Sequence, residues 1–353
     1  MRGLVTGSNG LVGSQCVKFL CKRGWQVFGV DNDMRSYFFG EDSSTKSVGQ
    51  SLREDFDDFT FFPLDIRERS SLATLLHNAP VDLIIHAAGQ PSHDWAAKEP
   101  LTDFEVNAVG TINILEAYRL YCPSASFVFT STNKVYGDRP NQLQLTEEDL
   151  RLEHYDESGE LGSIDENMSI DHCLHSVFGA SKVSADIMVQ EYGRYFNLNT
   201  AVFRCGCLTG PDHKGAKLHG FLSYLIKCAV KNEPYTINGS GKQVRDNLHA
   251  WDLANMFWHF YQDPRPGVVY NAGGGRDNSI SILEAIEEIN KILASLGKEE
   301  WTKYEINQSG WRTGDHKWYI SDLSKFEKDF PEWEIENSLN GLLKEMVEKE
   351  LSC

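Results

Sequence analysis

Short apolar runs alternate with segments of helical length along the first half of the chain. The spacing predicts helices over residues 11–23 and 103–120, each placed between two apolar runs. A repeated strand–helix alternation requires right-handed crossovers and produces a parallel, doubly wound α/β sheet. The strands of that sheet are predicted at Leu4–Val5, Gln26–Val30, Phe59–Phe62, Asp82–Ala88 and Phe127–Thr130.

Two polar stretches interrupt this alternation. Residues 33–57 are rich in Ser, Gly and acidic residues, and they predict a long surface loop. Between Glu147 and Asp171 there are ten carboxylates and a single arginine. We therefore expect residues 138–173 to be an insertion or a lid rather than part of the core. From about residue 205 the pattern is more irregular, with helices expected near 217–231, 251–262 and 281–296.

The chain is strongly acidic, which restricts its partners. Its 353 residues carry a formal net charge of −17, which argues against nucleic acid or an anionic membrane. No uncharged run approaches the ~20 residues of a membrane span. The eight cysteines contain no Cys-x-x-Cys pair, and no spacing typical of a metal site occurs. We therefore expect a cytoplasmic protein with reduced thiols and no bound metal.

A glycine-rich turn connects the first strand to the first helix. Gly7, Gly10 and Gly13 would let the backbone turn tightly and approach a pyrophosphate at the helix N-terminus. The same spacing also occurs in ordinary strand–helix turns. Asp31 ends the second strand eighteen residues after Gly13, where a carboxylate binds ribose hydroxyls and repels a 2′-phosphate. The pattern predicts NAD rather than NADP, with Arg35 close enough to soften that preference.

The Gly-x-x-Gly-x-x-Gly spacing resembles the extended short-chain dehydrogenase/reductase family, and later segments strengthen the resemblance. Asp65-Ile66 is similar to the family's adenine-contacting pair, and residues 87–90 are similar to its small-residue turn below the cofactor. The resemblance implies a Rossmann-type NAD-binding domain. The cofactor-binding residues that it implies are Gly7, Asn9, Gly10, Leu11, Val12, Gly13, Asp31, Asn32, Asp65, Ile66, Ala87, Ala88, Gly89, Asn107, Thr130 and Lys182.

The catalytic residues implied by the family are Thr132, which binds the sugar hydroxyl, and a Tyr-x-x-x-Lys pair on one helix face. Lys182 occupies the lysine position, but the tyrosine position is Phe178. Phenylalanine cannot accept a proton, and losing a general base typically costs 10²–10⁴-fold. Three interpretations remain open: an engineered substitution, a natural protein with another base, or binding without catalysis. The candidates for another base are Tyr136, Tyr155 and His175.

Within the family the chain most resembles CDP-paratose (CDP-tyvelose) 2-epimerases, over essentially its whole length. Four segments carry this resemblance: residues 131–138, 155–158, 198–204 and 241–246. It also resembles nucleotide-sugar 4,6-dehydratases, but Asn133 and Lys134 stand where those enzymes have an acid pair, which argues against dehydration. The substrate-binding residues that the resemblance implies are Gln90, Thr132, Asn133, Lys134, Arg204, Arg245 and Arg312.

The resemblance implies an NAD-dependent epimerase of a nucleotide-diphosphate sugar, acting through transient oxidation to a keto sugar. A UDP-sugar 4-epimerase is the alternative enzyme, and a catalytically silent NAD- or nucleotide-sugar-binding protein is the alternative of another class. Residues 1–204 with about 241–276 are expected to form the NAD-binding domain. A smaller, interleaved substrate domain would comprise about 205–240 and 277–353. Helices near 103–120 and 178–196 are expected to form a homodimer or a dimer of dimers.

Overall fold

The computed structural model describes residues 1–213, 220–308, 310 and 314–352. The strands are β1 Arg2–Thr6, β2 Gln26–Val30, β3 Phe59–Phe62, β4 Leu83–His86, β5 Ser126–Thr132, β6 Leu145–Glu147, β7 Leu152–His154, β8 Thr200–Cys205, β9 Cys207–Thr209, β10 Tyr235–Asn238, β11 Val244–His249, β12 Val268–Ala272, β13 Ser279–Ser281, β14 Tyr304–Asn307 and β15 Trp318–Tyr319. The helices are α1 Leu11–Cys21, α2 Met34–Phe39, α3 Lys46–Asp55, α4 Arg69–Asn78, α5 His93–Lys98, α6 Pro100–Phe104, α7 Gly110–Tyr121, α8 Ser176–Phe196, α9 Phe221–Val230, α10 Ala250–Gln262, α11 Ile282–Ser295, α12 Ser324–Asp329 and α13 Leu339–Leu351.

The central sheet confirms the predicted doubly wound α/β class. In the described chain it has seven strands in the order β12-β8-β5-β4-β1-β2-β3, and every neighbouring pair is parallel. Its central strands are buried on both faces, so they read as continuous apolar runs rather than as alternating ones. Helices cover both faces and enclose one apolar core on each side of the sheet.

The strand order reverses between β1 and β4, and this reversal positions the site. The chain leaves β1 toward β2 on one side, whereas β4 and β5 extend the sheet on the other side. The loops after β1 and β4 therefore diverge at the carboxyl edge of the sheet, and a crevice opens between them. Ligands of doubly wound sheets bind in this crevice.

The prediction of a surface loop over residues 33–57 is wrong. The segment forms α2 and α3, with a short 3₁₀ turn at Glu41–Ser43 between them. Leu52 is fully buried in the core, which gives α3 an anchored face. The carboxylate of Asp33 holds the start of the segment by accepting hydrogen bonds from Ser44 Oγ and Thr45 N, both at 2.8 Å. The polar composition of the segment gives no indication of these anchoring contacts.

The second half of the chain builds a separate layer next to the sheet. Strand β11 pairs with β9, β13 and β15 rather than with the central sheet, whereas β12 forms the edge of the central sheet. Helices α9, α11 and α13 pack around their own apolar core with Trp301. The predicted division into two interleaved domains stays a prediction.

The acidic segment 138–173 is not a lid over the crevice in this structure. It contains the hairpin β6–β7 and packs on the second layer. Glu153 is buried there because it binds Arg276 at 2.6 Å and accepts a hydrogen bond from the Trp318 ring nitrogen at 3.0 Å. Ile164 adds a buried apolar anchor. Within residues 1–213, 220–308, 310 and 314–352, no helix is long and apolar enough to cross a membrane.

One buried carboxylate ties three elements of the fold together. Asp186 on α8 accepts hydrogen bonds from Ser131 Oγ on β5 at 2.7 Å and from Arg204 Nε and Nη2 on β8, each at 3.1 Å. Gln190 Nε2, one turn further along α8, donates to Oδ1 of Asp186 at 2.6 Å. Both charged side chains are almost fully buried. The pair therefore sets the position of α8 relative to the carboxyl ends of two strands.

We predict that Asp186→Ala destabilises the fold by about 3–5 kcal/mol, because it leaves the guanidinium of Arg204 buried without its counter-charge. Urea unfolding followed by circular dichroism measures the loss. Glu191→Ala is the matched control on the same helix, since its pair with Arg194 is exposed and should contribute less than about 1 kcal/mol. Equal effects of the two substitutions would contradict the assigned role of Asp186.

Candidate active site

A cavity of about 710 Å³ occupies the crevice at the carboxyl edge of the sheet. It extends from the loop after β1, past the ends of β4 and β5 and the start of α8, to β11. The cavity thus connects the predicted glycine turn to the strand that carries Arg245. The site residues predicted from the sequence that line it are Gly7, Asn9, Gly10, Leu11, Val12, Gly13, Asp31, Asn32, Asp65, Ile66, Ala87, Ala88, Gly89, Gln90, Thr130, Thr132, Asn133, Lys134, Phe178, Lys182 and Arg245.

The loop after β1 is a close-packed glycine turn. Gly7 has a φ of +69°, and a Cβ added there would lie 2.8 Å from the amide nitrogen of Ala88. A Cβ added at Gly13 would overlap the carbonyl oxygen of Gly7. Gly10 precedes α1, and no side chain caps the helix. The first residues of α1 line the cavity, and no side chain accepts a hydrogen bond from their amides. This helix N-terminus therefore suits a pyrophosphate.

Asp31 stands at the end of β2 with its carboxylate fixed by backbone amides. Asn9 N donates to Oδ2 at 3.1 Å, and Asp33 N donates to Oδ1 at 2.8 Å. Burial raises the pKa of Asp31, and these backbone hydrogen bonds oppose the rise. A carboxylate can accept about four hydrogen bonds, so this one retains capacity for ribose hydroxyls. Next to it, Asn32 Nδ2 donates to Asp65 at 2.9 Å and joins the ribose and adenine ends of the predicted cofactor site.

The turn after β4 is held by a buried amide network. Asn107 Oδ1 accepts from Gln90 N at 2.9 Å, and its Nδ2 donates to Gln90 O, Asp103 and Ser181 Oγ. Asn107 does not line the cavity. The sequence predicts that Asn107 contacts the cofactor. In the structure it instead supports the site, because it holds the small-residue turn against α8.

Thr132, Phe178 and Lys182 come together on one wall of the cavity. Phe178 and Lys182 are one turn apart on α8, so they share a helix face, and Thr132 ends the neighbouring strand β5. Lys182 Nζ donates to Thr130 O at 2.9 Å. Burial lowers the pKa of Lys182 to about 8. The three residues for which the resemblance implies a catalytic role thus lie on one wall, with an apolar ring in place of the phenol.

Two cations line the other end of the cavity. Lys134 follows Thr132 by two residues, donates to Gly314 O at 3.0 Å and lies 3.5 Å from the carboxylate of Asp315. Burial lowers the pKa of Lys134, and Asp315 opposes that change. Arg245 on β11 lies close enough to act on Lys134 electrostatically. Arg312, the other predicted phosphate ligand, lies outside the described residues.

Arg204 is not a substrate ligand in this structure, which corrects the sequence-based expectation. Its guanidinium binds Asp186, as described above, and it packs 5.0 Å from the ring centre of Tyr136. It does not line the cavity. The buried ion pair uses the donors of Arg204 that a substrate phosphate would need.

None of the three candidate replacement bases lines the cavity. Tyr136 is fully buried, and its hydroxyl donates to Asn271 Oδ1 at 2.7 Å. Tyr155 is on the exposed acidic segment and donates to Glu148. His175 precedes α8 and contacts the thiol of Cys173. The structure therefore gives none of the three a place on the cavity wall, and a role as the base stays a prediction for each of them.

Sequence reasoning missed His93 and Asp315 as cavity residues. His93 lies at the start of α5, and its ring centre is 5.0 Å from that of Phe178. Asp315 comes from the far end of the chain and faces Lys134. No local motif marks either residue. A histidine directly after the small-residue turn was the only available signal for His93.

The chain matches the NAD dependent epimerase/dehydratase family over residues 3–273. It is 31% identical to CDP-paratose 2-epimerase of Salmonella typhi over 334 residues, which cover 92% of each protein. It is 27% identical to dTDP-glucose 4,6-dehydratase 1 of Escherichia coli, covering 100% of this chain and 93% of that one. Its fold is similar to UDP-glucuronic acid 4-epimerase of Bacillus cereus, solved with UDP-glucuronic acid and NAD, with a TM-score of 0.78, 24% identity and 99% coverage of both chains.

We predict that the protein binds NAD at least about tenfold more tightly than NADP, because a 2′-phosphate would meet the half-buried carboxylate of Asp31. Asp31→Ser should narrow that ratio, whereas Asp94→Asn, at the other end of the cavity, should leave it unchanged. Calorimetry with both dinucleotides gives the ratio. Equal affinities in the wild-type protein would refute the role of Asp31 and would make Arg35 responsible.

Proposed function

We propose that this chain, which belongs to the NAD dependent epimerase/dehydratase family, inverts one ring carbon of a nucleotide-diphosphate sugar. The observation that carries the proposal is the single cavity that joins the glycine turn and Asp31 to Thr132, Lys182 and two cations. The dinucleotide would bind at the end with the glycine turn and Asp31, and the anionic sugar nucleotide at the end with Lys134 and Arg245. The similarity to CDP-paratose 2-epimerase favours inversion at carbon 2 of a CDP-sugar.

NAD is the cofactor, and it supplies a hydride acceptor and donor when bound. The amides of α1 would hold its pyrophosphate, Asp31 its adenosine ribose, and Asp65 with Ile66 its adenine. Lys182 would hold the nicotinamide end, where its ammonium already lies against the end of β5. The chain's contribution is to bind and orient the sugar and to manage the proton of its hydroxyl.

The substrate would lie between Thr132 and Arg245. Thr132 can bond the sugar hydroxyl that is oxidised, because its side chain lines the cavity beside Lys182. Arg245 offers paired donors that suit phosphate oxygens, and Lys134 places a second positive charge beside it. Gln90 and Asn133 complete the polar lining around the sugar. Oxidation and return of the same hydride leave no net redox change, so neither an oxidant nor a reductant is consumed.

Dehydration is not supported, despite the similarity to a 4,6-dehydratase. Elimination of water needs an acid and a base beside the sugar. Here Asn133 and Lys134 follow Thr132. The carboxylate nearest to them is Asp315, which is paired with Lys134.

The test is a panel of CDP-, UDP- and GDP-hexoses incubated with the NAD-loaded wild-type protein and followed by NMR at each ring carbon. We expect inversion at carbon 2 of a CDP-sugar without accumulation of NADH. Lys182→Met should be inactive. Inversion at carbon 4 of a UDP-sugar would instead identify a UDP-sugar as the substrate and carbon 4 as the inverted position. If no sugar in the panel turns over while NAD binds, the protein is a non-catalytic binding protein.

We also propose that the protein is a homodimer or a dimer of dimers, working in the cytoplasm. Helices α7 and α8 are joined by a hydrogen bond from Tyr192 to Glu116 at 2.7 Å. Exposed apolar residues on and next to the two helices form one stripe. The stripe comprises Val109, Ile112 and Leu120 with Val177, Ile187 and Tyr195. Pairing of two copies would bury it. The cysteines in the described ranges are free thiols, which supports a reducing compartment.

We predict that Ile187→Glu converts the assembled protein to a monomer at micromolar concentration, because it places a charge in the centre of the stripe. Light scattering coupled to size exclusion measures the mass. Leu161→Glu is the matched control, since Leu161 is also an exposed apolar residue but lies on the acidic segment. A wild-type protein that is already monomeric would refute the dimer.

A further inference from the structure

Two short helices meet across the crevice and form a bridge over the carboxyl end of β1. In the central sheet β1 lies between β4 and β2. Helix α2 follows β2, and helix α5 follows the loop after β4, so the two helices start on opposite sides of the glycine turn. They nevertheless touch. The ring centre of Phe38 on α2 lies 4.5 Å from that of Trp95 on α5, and Tyr37 packs against the same indole at 5.6 Å.

One face of α2 lines the cavity, and another face fastens the helix to the far side. Met34, Arg35 and Phe38 line the cavity, and their spacing places them on one helix face. Tyr37 does not line the cavity and is 59% exposed. Its hydroxyl donates to the carboxylate of Glu99, which directly follows α5, and lies 3.0 Å from both oxygens. Helix α2 is thus a roof of the cavity that is closed from outside.

The α5 side of the bridge is firmly anchored. Trp95 is buried, and its backbone amide donates to Ser92 Oγ at 3.2 Å, which caps the start of the helix. His93 Nδ1 lies 2.8 Å from Ser176 Oγ at the start of α8. Helix α5 is therefore fixed to the long helix that forms the neighbouring wall of the cavity.

The α2 side has fewer anchors. Each of its six residues is at least partly exposed to solvent. The helix lies between two turns, at Asp33 with a φ of +55° and at Gly40 with a φ of +89°. Elements that bury little apolar surface open locally at a lower free energy than the core does. Of the two helices that form the bridge, α2 is therefore the one that can move.

The proposed NAD site extends to both sides of this bridge. Asp31, the proposed ligand of the adenosine ribose, follows β2 on the α2 side. Lys182, which would hold the nicotinamide end, lies against β5, beyond β4 on the other side. The amides of α1 that would hold the pyrophosphate are between them. A dinucleotide bound in this way would pass under the bridge, and its release would require α2 and α5 to separate.

We propose that α2 is the gate through which the dinucleotide enters and leaves, and that the contacts of Tyr37 with Glu99 and Trp95 keep this gate closed. The gate concerns the cofactor rather than the sugar nucleotide, because Lys134 and Arg245 lie at the other end of the cavity. Opening of such elements limits the release of ligands from many enzymes. This proposal rests on the cofactor placement of the proposed function and deepens it.

The test measures cofactor exchange without any nucleotide sugar. Protein loaded with NADH is mixed with a large excess of NAD in a stopped-flow instrument, and the loss of energy transfer from tryptophan to NADH gives the release rate. We expect Tyr37→Ala to raise this rate at least about fivefold, because it removes a hydrogen bond and an aromatic contact. Tyr37→Phe keeps the ring and should give a smaller increase.

The association rate distinguishes a gate from a cofactor contact. A gate must open in both the free and the loaded protein, so Tyr37→Ala should raise the association and release rates by similar factors and leave Kd nearly unchanged. Tyr304→Ala is the matched control and should change none of these constants. Tyr304 is also an exposed tyrosine packed on a buried tryptophan, Trp301, with ring centres 5.8 Å apart, but it lies on β14 outside the cavity.

Three outcomes would overturn the proposal. The first is an unchanged release rate in Tyr37→Ala. The second is faster release with an unchanged association rate, which would make Tyr37 a determinant of cofactor affinity. The third is faster release in Lys18→Met but not in Tyr37→Ala. Lys18 on α1 binds Asp212, which lines the cavity, at 2.6 Å, so this result would place the exit beside α1.

The same measurements separate the gate from the proposed function. If wild type turns over a nucleotide sugar while Tyr37→Ala exchanges NADH at the wild-type rate, the gate fails and the epimerase assignment stands. If Tyr37→Ala exchanges NADH faster as expected but no nucleotide sugar turns over, the gate stands and the epimerase assignment fails. If wild type binds neither NAD nor NADH, both proposals fail.

Discussion

The site depends on the four hydrogen bonds around the carboxylate of Asp186. They connect β5, α8 and β8, which are adjacent in space but lie in separate parts of the sequence. Thr132 follows Ser131 on β5, while Lys182 and Phe178 precede Asp186 by one and two helical turns. Fixing Asp186 therefore fixes all three site residues relative to each other. The pairing also explains why Arg204 is buried: it neutralises the carboxylate that makes this register possible.

The parts of the site that could be predicted from the sequence are those with local causes. The glycine turn, Asp31 and the spacing of Phe178 and Lys182 each depend on one strand end or one helix face. Arg204 was misjudged because its partner is across a strand–helix contact that no local pattern records. The helices in residues 33–57 were missed because two anchors, Asp33 and Leu52, outweigh a polar composition.

Net charge alone would have given the wrong impression of the cavity. The chain carries −17, yet Lys134, Lys182 and Arg245 all line one cavity. Lys182 is buried and the other two are half-buried, so they act in a region of reduced dielectric, where each charge has a larger effect than on the surface. An acidic protein can therefore bind an anionic sugar nucleotide inside while its surface repels nucleic acid and anionic lipid. The buried charges have to be counted separately from the total.

The chemical consequence of Phe178 follows from ordinary pKa values. A phenol, with a pKa of about 10, needs neighbouring cations before it accepts a proton near neutral pH, whereas an imidazole, at about 6.5, does not. Phe178 offers no proton acceptor of either kind, and its ring packs against that of His93 with the two ring centres 5.0 Å apart. A phenylalanine at this position therefore keeps an aromatic ring in the wall of the cavity and removes the hydroxyl that could exchange a proton with the sugar.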